Sequence, residues 1–298
     1  MSLQTPKIAI IIPLYEYRGI ESVIDSITRN TYQNYQIIVI DNSQCPEYKK
    51  LFTSKLATCP AIHYYGQNTN LGVTGGRNKG IQYIEPDCEF VLFLDHDVLI
   101  REDCLENLVH DFKTLEQQEP IGILTGKVLY KERHDWIWAA GTDINLYTGK
   151  IMFYCGQDEG QFETYRQVGV APSIIFTRYS LVQKLGGFDD LFFANYDDTE
   201  FCFRYKKHGF PTFYSPHVVG FHDIPFQSQN AHRLLNRGYF IARNRILFMR
   251  RYSKCYLVFL CFIPLWCAYY FRVYLANERV KDFKEYLNGT LQGLFLRI

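Results

Sequence analysis

No sign of charge dominates this chain: Lys and Arg total 32 against 31 Asp and Glu in 298 residues. Such a balance excludes the broad basic footprint on which nucleic-acid binders rely. The nine cysteines are odd in number and include no C-x-x-C pair. That argues against a disulfide framework and against a zinc site, and predicts reduced, mostly buried thiols in a cytoplasmic protein. No low-complexity tract and no internal repeat occurs. No secretory leader is expected from the N-terminal residues, because the apolar run from Ile8 to Ile12 is too short and runs directly into Pro13. What the chain has in quantity is aromatic residues, 23 Tyr and 23 Phe. Its length suits one large α/β domain, or one domain with an appendage.

Apolar runs alternate with helical patterns along the first hundred residues. Lys7 to Pro13 is a continuous apolar run closed by proline, the pattern of a buried parallel strand. Ile20 to Arg29 reads as a helix, Tyr35 to Ser43 as a second buried strand, Glu47 to Lys55 as a helix and Ala61 to Tyr65 as a strand. The Gly-rich segment Asn70 to Asn78 opens a helix through Tyr83, and Glu89 to Leu94 is the next strand. The alternation predicts an open, mostly parallel twisted sheet flanked by helices. Ligands of such sheets bind beyond the carboxyl ends of the strands, where Asp41 and Asp95 both fall. Further along, Gly122 to Tyr130 predicts a strand and Trp136 to Tyr154 a hairpin turning at Thr148-Gly149. Ser173 to Thr177 reads as a strand and Ser180 to Leu185 as a short helix. A helix from Thr199 to His208 begins just after an acidic cluster, and Pro211 to Val219 is a last strand.

From about Ala231 the character changes. Tyr239 to Tyr252 reads as an arginine-rich helix leading into Cys255 to Phe271, 17 residues without a charge, interrupted by Pro264. Three readings of that stretch stay open: a buried core helix pair, a re-entrant or interfacial segment, and a true span. The basic residues beside it favour the interfacial reading over the span. The predicted division is an α/β unit over 1–230 and a helical, membrane-associating extension over 231–298.

The sharpest chemical signal is Leu92-Phe93-Leu94-Asp95-His96-Asp97, two carboxylates at i and i+2 where an apolar strand ends. Alternate side chains of an extended segment point the same way, so Asp95 and Asp97 can address one ligand. Oxygen pairs suit a hard divalent cation, and such cations commonly accompany phosphates. An ordinary strand-to-turn exit explains the same residues more blandly.

Four signals lie in order: Asp41 at a strand end, the Gly-rich segment with Arg77, Asp95-His96-Asp97, and Gly186-Gly187-Phe188-Asp189 followed by Tyr196-Asp197-Asp198-Thr199-Glu200. In that order and spacing they resemble the family-2 glycosyltransferases of the GT-A fold. The stretch Asp198 to Arg204 resembles the bacterial rhamnosyltransferase branch in particular. The resemblance implies an inverting transfer of a sugar from a UDP- or dTDP-sugar to a hydroxyl of a glycan or lipid-linked acceptor. It implies Mn²⁺ or Mg²⁺ as cofactor and a role in cell-surface polysaccharide synthesis at the cytoplasmic face of the membrane. By the same resemblance Asp41 accepts from the ring N–H of the base, with Pro13 and Tyr15 beside that base. Arg77 hydrogen-bonds the donor's base or phosphate, and the glycines before it let the backbone approach the nucleotide. Asp95 contacts the ribose, or the metal through water, and Asp97 binds the metal directly. Asp198 matches the catalytic base, with Asp197 and Glu200 raising its pKa. His222 falls where relatives supply a further metal or diphosphate ligand, with His217 as a nearby alternative. Trp136, Trp138 and Tyr147 are candidates for an acceptor wall. Asn195 departs from the Asp of the rhamnosyl branch, which loosens the donor-sugar assignment.

Other readings compete. Leu92 to Leu99 also fits the strand-Asp-x-Asp nucleophile motif of haloacid-dehalogenase-like phosphatases. That class begins its fold at the motif, whereas α/β structure precedes it here. A sugar nucleotidyltransferase would need a Gly-rich loop with lysine after Ile12, which is absent. A non-catalytic sugar-binding scaffold would retain the fold, but intact carboxylates at Asp95, Asp97 and Asp198 argue against it.

Overall fold

Uninterrupted apolar runs become strands buried on both faces. Helices of the first half cover them. The computed structural model of the chain describes residues 5–56, 62–226 and 235–297. In chain order the elements begin β1 (Lys7–Leu14), α1 (Ile20–Thr28), β2 (Tyr35–Asp41), α2 (Pro46–Leu56) and β3 (Ile62–Gly66). There follow α3 (Gly72–Ile81), β4 (Cys88–Leu94), β5 (Val98–Ile100), α4 (Cys104–Glu116) and β6 (Ile123–Tyr130). Short strands come next: β7 (Arg133–Ala139), β8 (Thr142–Ile144), β9 (Ile151–Phe153), β10 (Gly156–Gln157), β11 (Arg166–Val168) and β12 (Ile174–Arg178). The chain continues with α5 (Tyr179–Leu185), α6 (Asp197–Lys207) and β13 (Thr212–His222). Beyond residue 234 lie α7 (Gly238–Tyr252), α8 (Tyr256–Ala276) and α9 (Phe283–Phe295).

The main sheet runs β10-β7-β6-β12-β4-β1-β2-β3, with β13 paired to β5, β6 and β11. Strands β3, β2, β1 and β4 are mutually parallel, so their carboxyl ends share one edge. Strand β12 lies antiparallel to both β4 and β6, which makes the sheet mixed. An apolar run specifies burial but not direction, hence the surprise. The predicted hairpin over Trp136 to Tyr154 divides. Residues Arg133–Ala139 join the main sheet, and β8 and β9 alone form the hairpin around Thr148-Gly149.

Two glycines of α3 are closely packed. A Cβ on Gly76 would meet Pro13 at 3.0 Å and Asn42 at 2.9 Å, so the helix can lie directly on β1. Gly72 holds a φ of 72°, where a Cβ would collide with the Phe193 carbonyl at 2.5 Å.

Two further expectations need correction. Among the described residues the cysteines are free, but only Cys88, Cys104 and Cys202 are buried. The apolar C-terminal stretch is not a buried helix pair. It forms one helix, α8, unbroken at Pro264. That helix is long and apolar enough to cross a membrane, and only 11% of its apolar window is buried. Leu257, Leu265, Tyr269 and Leu275 are exposed, while Phe259, Tyr270 and Tyr274 pack inward. The inner face is continuous with the rest of the protein: Ile246 to Met249 and Phe259 share a core with Ala9, Ile11 and Phe93. The predicted boundary near residue 230 lies outside the described residues.

Candidate active site

Parallel pairing aligns Leu14 of β1 with Asp41 of β2 and Ile11 with Phe93 of β4. The loops after these strands therefore open onto one edge, as the alternation predicts. Asp41 is fully buried there. Its Oδ1 accepts the Ser43 N–H at 2.8 Å, and its Oδ2 accepts the Tyr64 hydroxyl at 2.5 Å. Tyr15 stands exposed after the buried Pro13. His96 turns back, its Nδ1 3.0 Å from the Pro13 carbonyl and its ring against Tyr17.

Arg77 lies beneath the site rather than on its surface. Its Nη2 donates to Asp95 Oδ1 and its Nη1 to Asp197 Oδ2, each at 2.7 Å, and the guanidinium rests over the Phe188 ring. Burial works to discharge this arginine, but Asp197 and Asp95 outweigh it and hold the pKa above its ordinary value. The bridge joins the end of β4 to the start of α6, with Asp197 lying 120 residues along the chain from Arg77. With its charge committed to two carboxylates, Arg77 organises the floor of the site.

Asp97 faces the other way, toward β13. His222 is the last residue of that strand, paired across from Val98 of β5. Its Nε2 sits 3.3 Å from Asp97 Oδ1, Trp138 meets its ring edge-on, and its buried Nδ1 has no hydrogen-bond partner. His217 instead pairs with Asp111 at 3.0 Å, which removes it from the site. Among the described residues no compact group of three metal-ligating side chains occurs. Asp97 and His222 nevertheless fit a divalent cation. A carboxylate and an imidazole 3.3 Å apart are close enough to share one such ion. Sequence reasoning missed the neighbouring Asp223, which accepts from Tyr17 at 2.6 Å and Lys131 at 2.7 Å. It follows His222 directly, and that adjacency was the available signal.

Helix α6 begins at Asp197, two residues earlier than the expected Thr199, so both carboxylates lie within its first turn. Asn195 and Tyr196 before it have φ values of 63° and 64°. Asp198 accepts the Thr199 N–H at 2.6 Å. Loss of hydration, followed by the charge of Asp197 next to it, pushes the Asp198 carboxyl up to about 7 despite Arg77. Asp197 is likewise raised, burial outweighing Arg77. The Glu200 carboxylate is held by Arg204 at 3.1 Å and the Tyr252 hydroxyl at 3.0 Å, and the leading causes of the Asp198 shift are burial and Asp197.

A family model described as glycosyl transferase family 2 matches residues 9–173. Among curated proteins, the chain is 24% identical over 235 residues to the low-salt glycan biosynthesis hexosyltransferase Agl10 of Haloferax volcanii, covering 71% of this chain and 68% of that protein. It is 24% identical over 233 residues to the dTDP-rhamnosyl transferase RfbF of Shigella flexneri, covering 76% and 74%. Among solved structures, it is similar to the mannosyltransferase PcManGT from Pyrobaculum calidifontis in complex with GDP-Man and Mn²⁺. That likeness has a TM-score of 0.60 at 14% identity, over 98% of this chain and 88% of that one. It is also similar to GalNAc-T7 with UDP, GalNAc and Mn²⁺, with a TM-score of 0.59 at 11% identity, over 80% and 51%. At such identities these structural likenesses speak to the fold.

Proposed function

The chain belongs to glycosyl transferase family 2 and is a GT-A-fold glycosyltransferase using nucleotide-sugar donors, and from that premise we propose an inverting hexosyl or rhamnosyl transfer from a UDP- or dTDP-sugar to a hydroxyl of a glycan or lipid-linked acceptor. The observation that carries this reading is the Arg77 bridge, which brings the Asp95–Asp97 strand end and the Asp198 helix to one floor. Membership in this family displaces the phosphatase and nucleotidyltransferase readings.

In the proposed step Asp198 takes the proton from the acceptor hydroxyl as that oxygen attacks the anomeric carbon. The bond to the diphosphate breaks on the opposite face and the leaving group keeps the electron pair. A carboxyl with a pKa near 7 is matched to this task at neutral pH. Asp97 and His222, with Asp95 beside them, would hold Mn²⁺ or Mg²⁺, which when bound offsets the negative charge developing on the diphosphate. Pro13, Tyr15 and Asp41 take the base, and Arg77 shapes the donor site through Asp95. Asp197 supports Asp198 from its salt bridge, and Glu200 holds the helix through Arg204.

We place the catalytic unit over 1–230 and the helical extension over 231–298. The exposed side of α8 rests against the cytoplasmic face of a membrane, where polysaccharide precursors are assembled. Its exposed Leu265 and Leu257 lie between the basic residues Lys254 and Arg272. Burial of Phe259, Tyr270 and Tyr274 along its length favours lying flat over crossing. Leu265→Glu should reduce co-flotation with phosphatidylglycerol vesicles; unchanged flotation would remove the membrane role.

The first test is calorimetric binding of UDP and dTDP with and without Mn²⁺. Asp97→Ala should lose the metal-dependent part of nucleotide binding. Asp198→Asn should retain binding and lose transfer by about 10²- to 10⁴-fold. Equal loss of binding in both variants would overturn the division of roles.

A further inference from the structure

Three consecutive residues of α7 close on the turn that carries Asp198. Arg243 Nη1 donates to the Leu191 carbonyl at 2.8 Å. The fully buried Asn244 donates from Nδ2 to the carbonyls of Ala194 and Asn195, each at 2.8 Å. Arg245 reaches the next residue: its Nε donates to the Tyr196 hydroxyl at 3.2 Å. Its other nitrogens donate to Tyr270 at 3.2 Å and Tyr286 at 3.3 Å, and its guanidinium lies 4.0 Å from the centre of the Trp266 ring.

This arrangement is unusual in two respects. Arg245 is 5% exposed, and among the described residues its hydrogen-bond partners are three phenols with no carboxylate among them. A buried cation without an anionic partner carries a desolvation penalty that here only the phenols and the Trp266 ring offset. Asn195 and Tyr196, whose carbonyl and side chain are gripped, are two successive non-glycine residues in the left-handed region. That conformation is uphill for residues with a Cβ and persists only where surroundings enforce it. The turn is what places Asp197 on Arg77 and aims Asp198.

We propose that Arg245 and Asn244 are positioning residues for Asp198, and that the helices after residue 237 form part of the catalytic apparatus by completing the cage around Arg245. The proposal rests on the reading of Asp198 as the base. Trp266 and Tyr270 come from α8 and Tyr286 from α9, so the helix with the exposed apolar face is joined to the catalytic turn through one guanidinium. Displacing that helix alters the aim of Asp198 without touching the donor-side residues Asp41 and Asp97.

The test uses the full chain and two readouts. Hydrogen exchange of the segment 191–199 should rise in Arg245→Gln and in Tyr196→Phe, while exchange in β1 and β2 stays as in the wild type. Tyr196→Phe removes only a hydroxyl and guards against simple misfolding of the arginine variant. Nucleotide release from UDP-glucose and dTDP-rhamnose, with water as acceptor, should fall in kcat by about 100-fold in Arg245→Gln, the scale of a small misplacement of a reacting group. The donor KM and calorimetric UDP and dTDP affinities should not change, and Arg245→Lys should recover part of the rate. On an Asp198→Asn background Arg245→Gln should add no further loss. Unchanged exchange at 191–199, a parallel loss of nucleotide affinity, or an additive loss in the double variant would each overturn the proposal. Wild-type turnover by Asp198→Asn alone would instead remove the base reading, with the exchange result still reporting the clamp.

Discussion

Two buried guanidinium groups grip consecutive residues by opposite chemistry. Arg77 holds Asp197 and Asp95 by ion pairs, and Arg245 holds Tyr196 inside an aromatic cage. The first is an electrostatic keystone. Without it Asp197 is left buried beside Asp198 with its strongest counter-charge gone. The second leaves behind only neutral phenols and an indole. Stability therefore depends on Arg77 more than on Arg245, whereas Arg245 governs the direction in which Asp198 points.

The comparison breaks most sharply in Arg77→Met. Removing one partner of a buried ion pair costs about 3–5 kcal/mol, at the lower end here because the Asp95 side chain is 30% exposed. Arg245→Met should cost about 1–2 kcal/mol, the scale of a desolvated cation–π contact. Urea unfolding at pH 8 separates the two. The Arg77→Met deficit should shrink at pH 5, because Asp197, its folded pKa already raised by burial, takes up a proton there and ceases to be a buried charge. Equal deficits for both arginines would erase the distinction.

Asp198 sharpens the comparison next, through pH. Its folded pKa of about 7 lies above the ordinary carboxylate value, so its contribution to stability is fully present below about pH 4 and is lost as pH rises through about 7. Asp198→Asn should therefore raise the unfolding temperature at pH 8 and leave it unchanged at pH 4. In the wild type kcat should fall by about tenfold per pH unit below about 7, since only the ionised carboxylate accepts the acceptor's proton. An acid limb near 4 would show that burial and Asp197 do not govern this group.

Legibility in the sequence follows the same line. Strands β1, β2 and β4 were readable because apolar runs end in polar residues, and their parallel pairing gathers Tyr15, Asp41 and Asp95 as the alternation implied. His222, which the family resemblance put near the metal ligands with His217 as alternative, lies 3.3 Å from Asp97. The target of Arg77 was not readable, since it joins carboxylates 18 and 120 residues away. The start of α6 was misplaced because the left-handed pair Asn195–Tyr196 sets it, a backbone state enforced by α7 and not by residue type. Glu200 was assigned to Asp198 by proximity in sequence. One helical turn instead carries it to Arg204 at i+4.

The smallest expected effect concerns Tyr64. Its hydroxyl occupies Oδ2 of Asp41, the oxygen available to a base ring N–H in the proposed donor site. A bound base must displace that hydrogen bond, so affinity is reduced by whatever the bond is worth, about 1 kcal/mol net. Tyr64→Phe removes the competitor while keeping the ring. It should tighten UDP and dTDP binding by about three- to tenfold at unchanged metal dependence, and lower stability by about 1 kcal/mol because Asp41 Oδ2 is then unpaired in the free protein. The two shifts have opposite signs and one cause. Calorimetry and urea unfolding on the same variant check them together, and weaker nucleotide binding in Tyr64→Phe would mean that the hydroxyl itself contacts the base and Asp41 serves only to hold it.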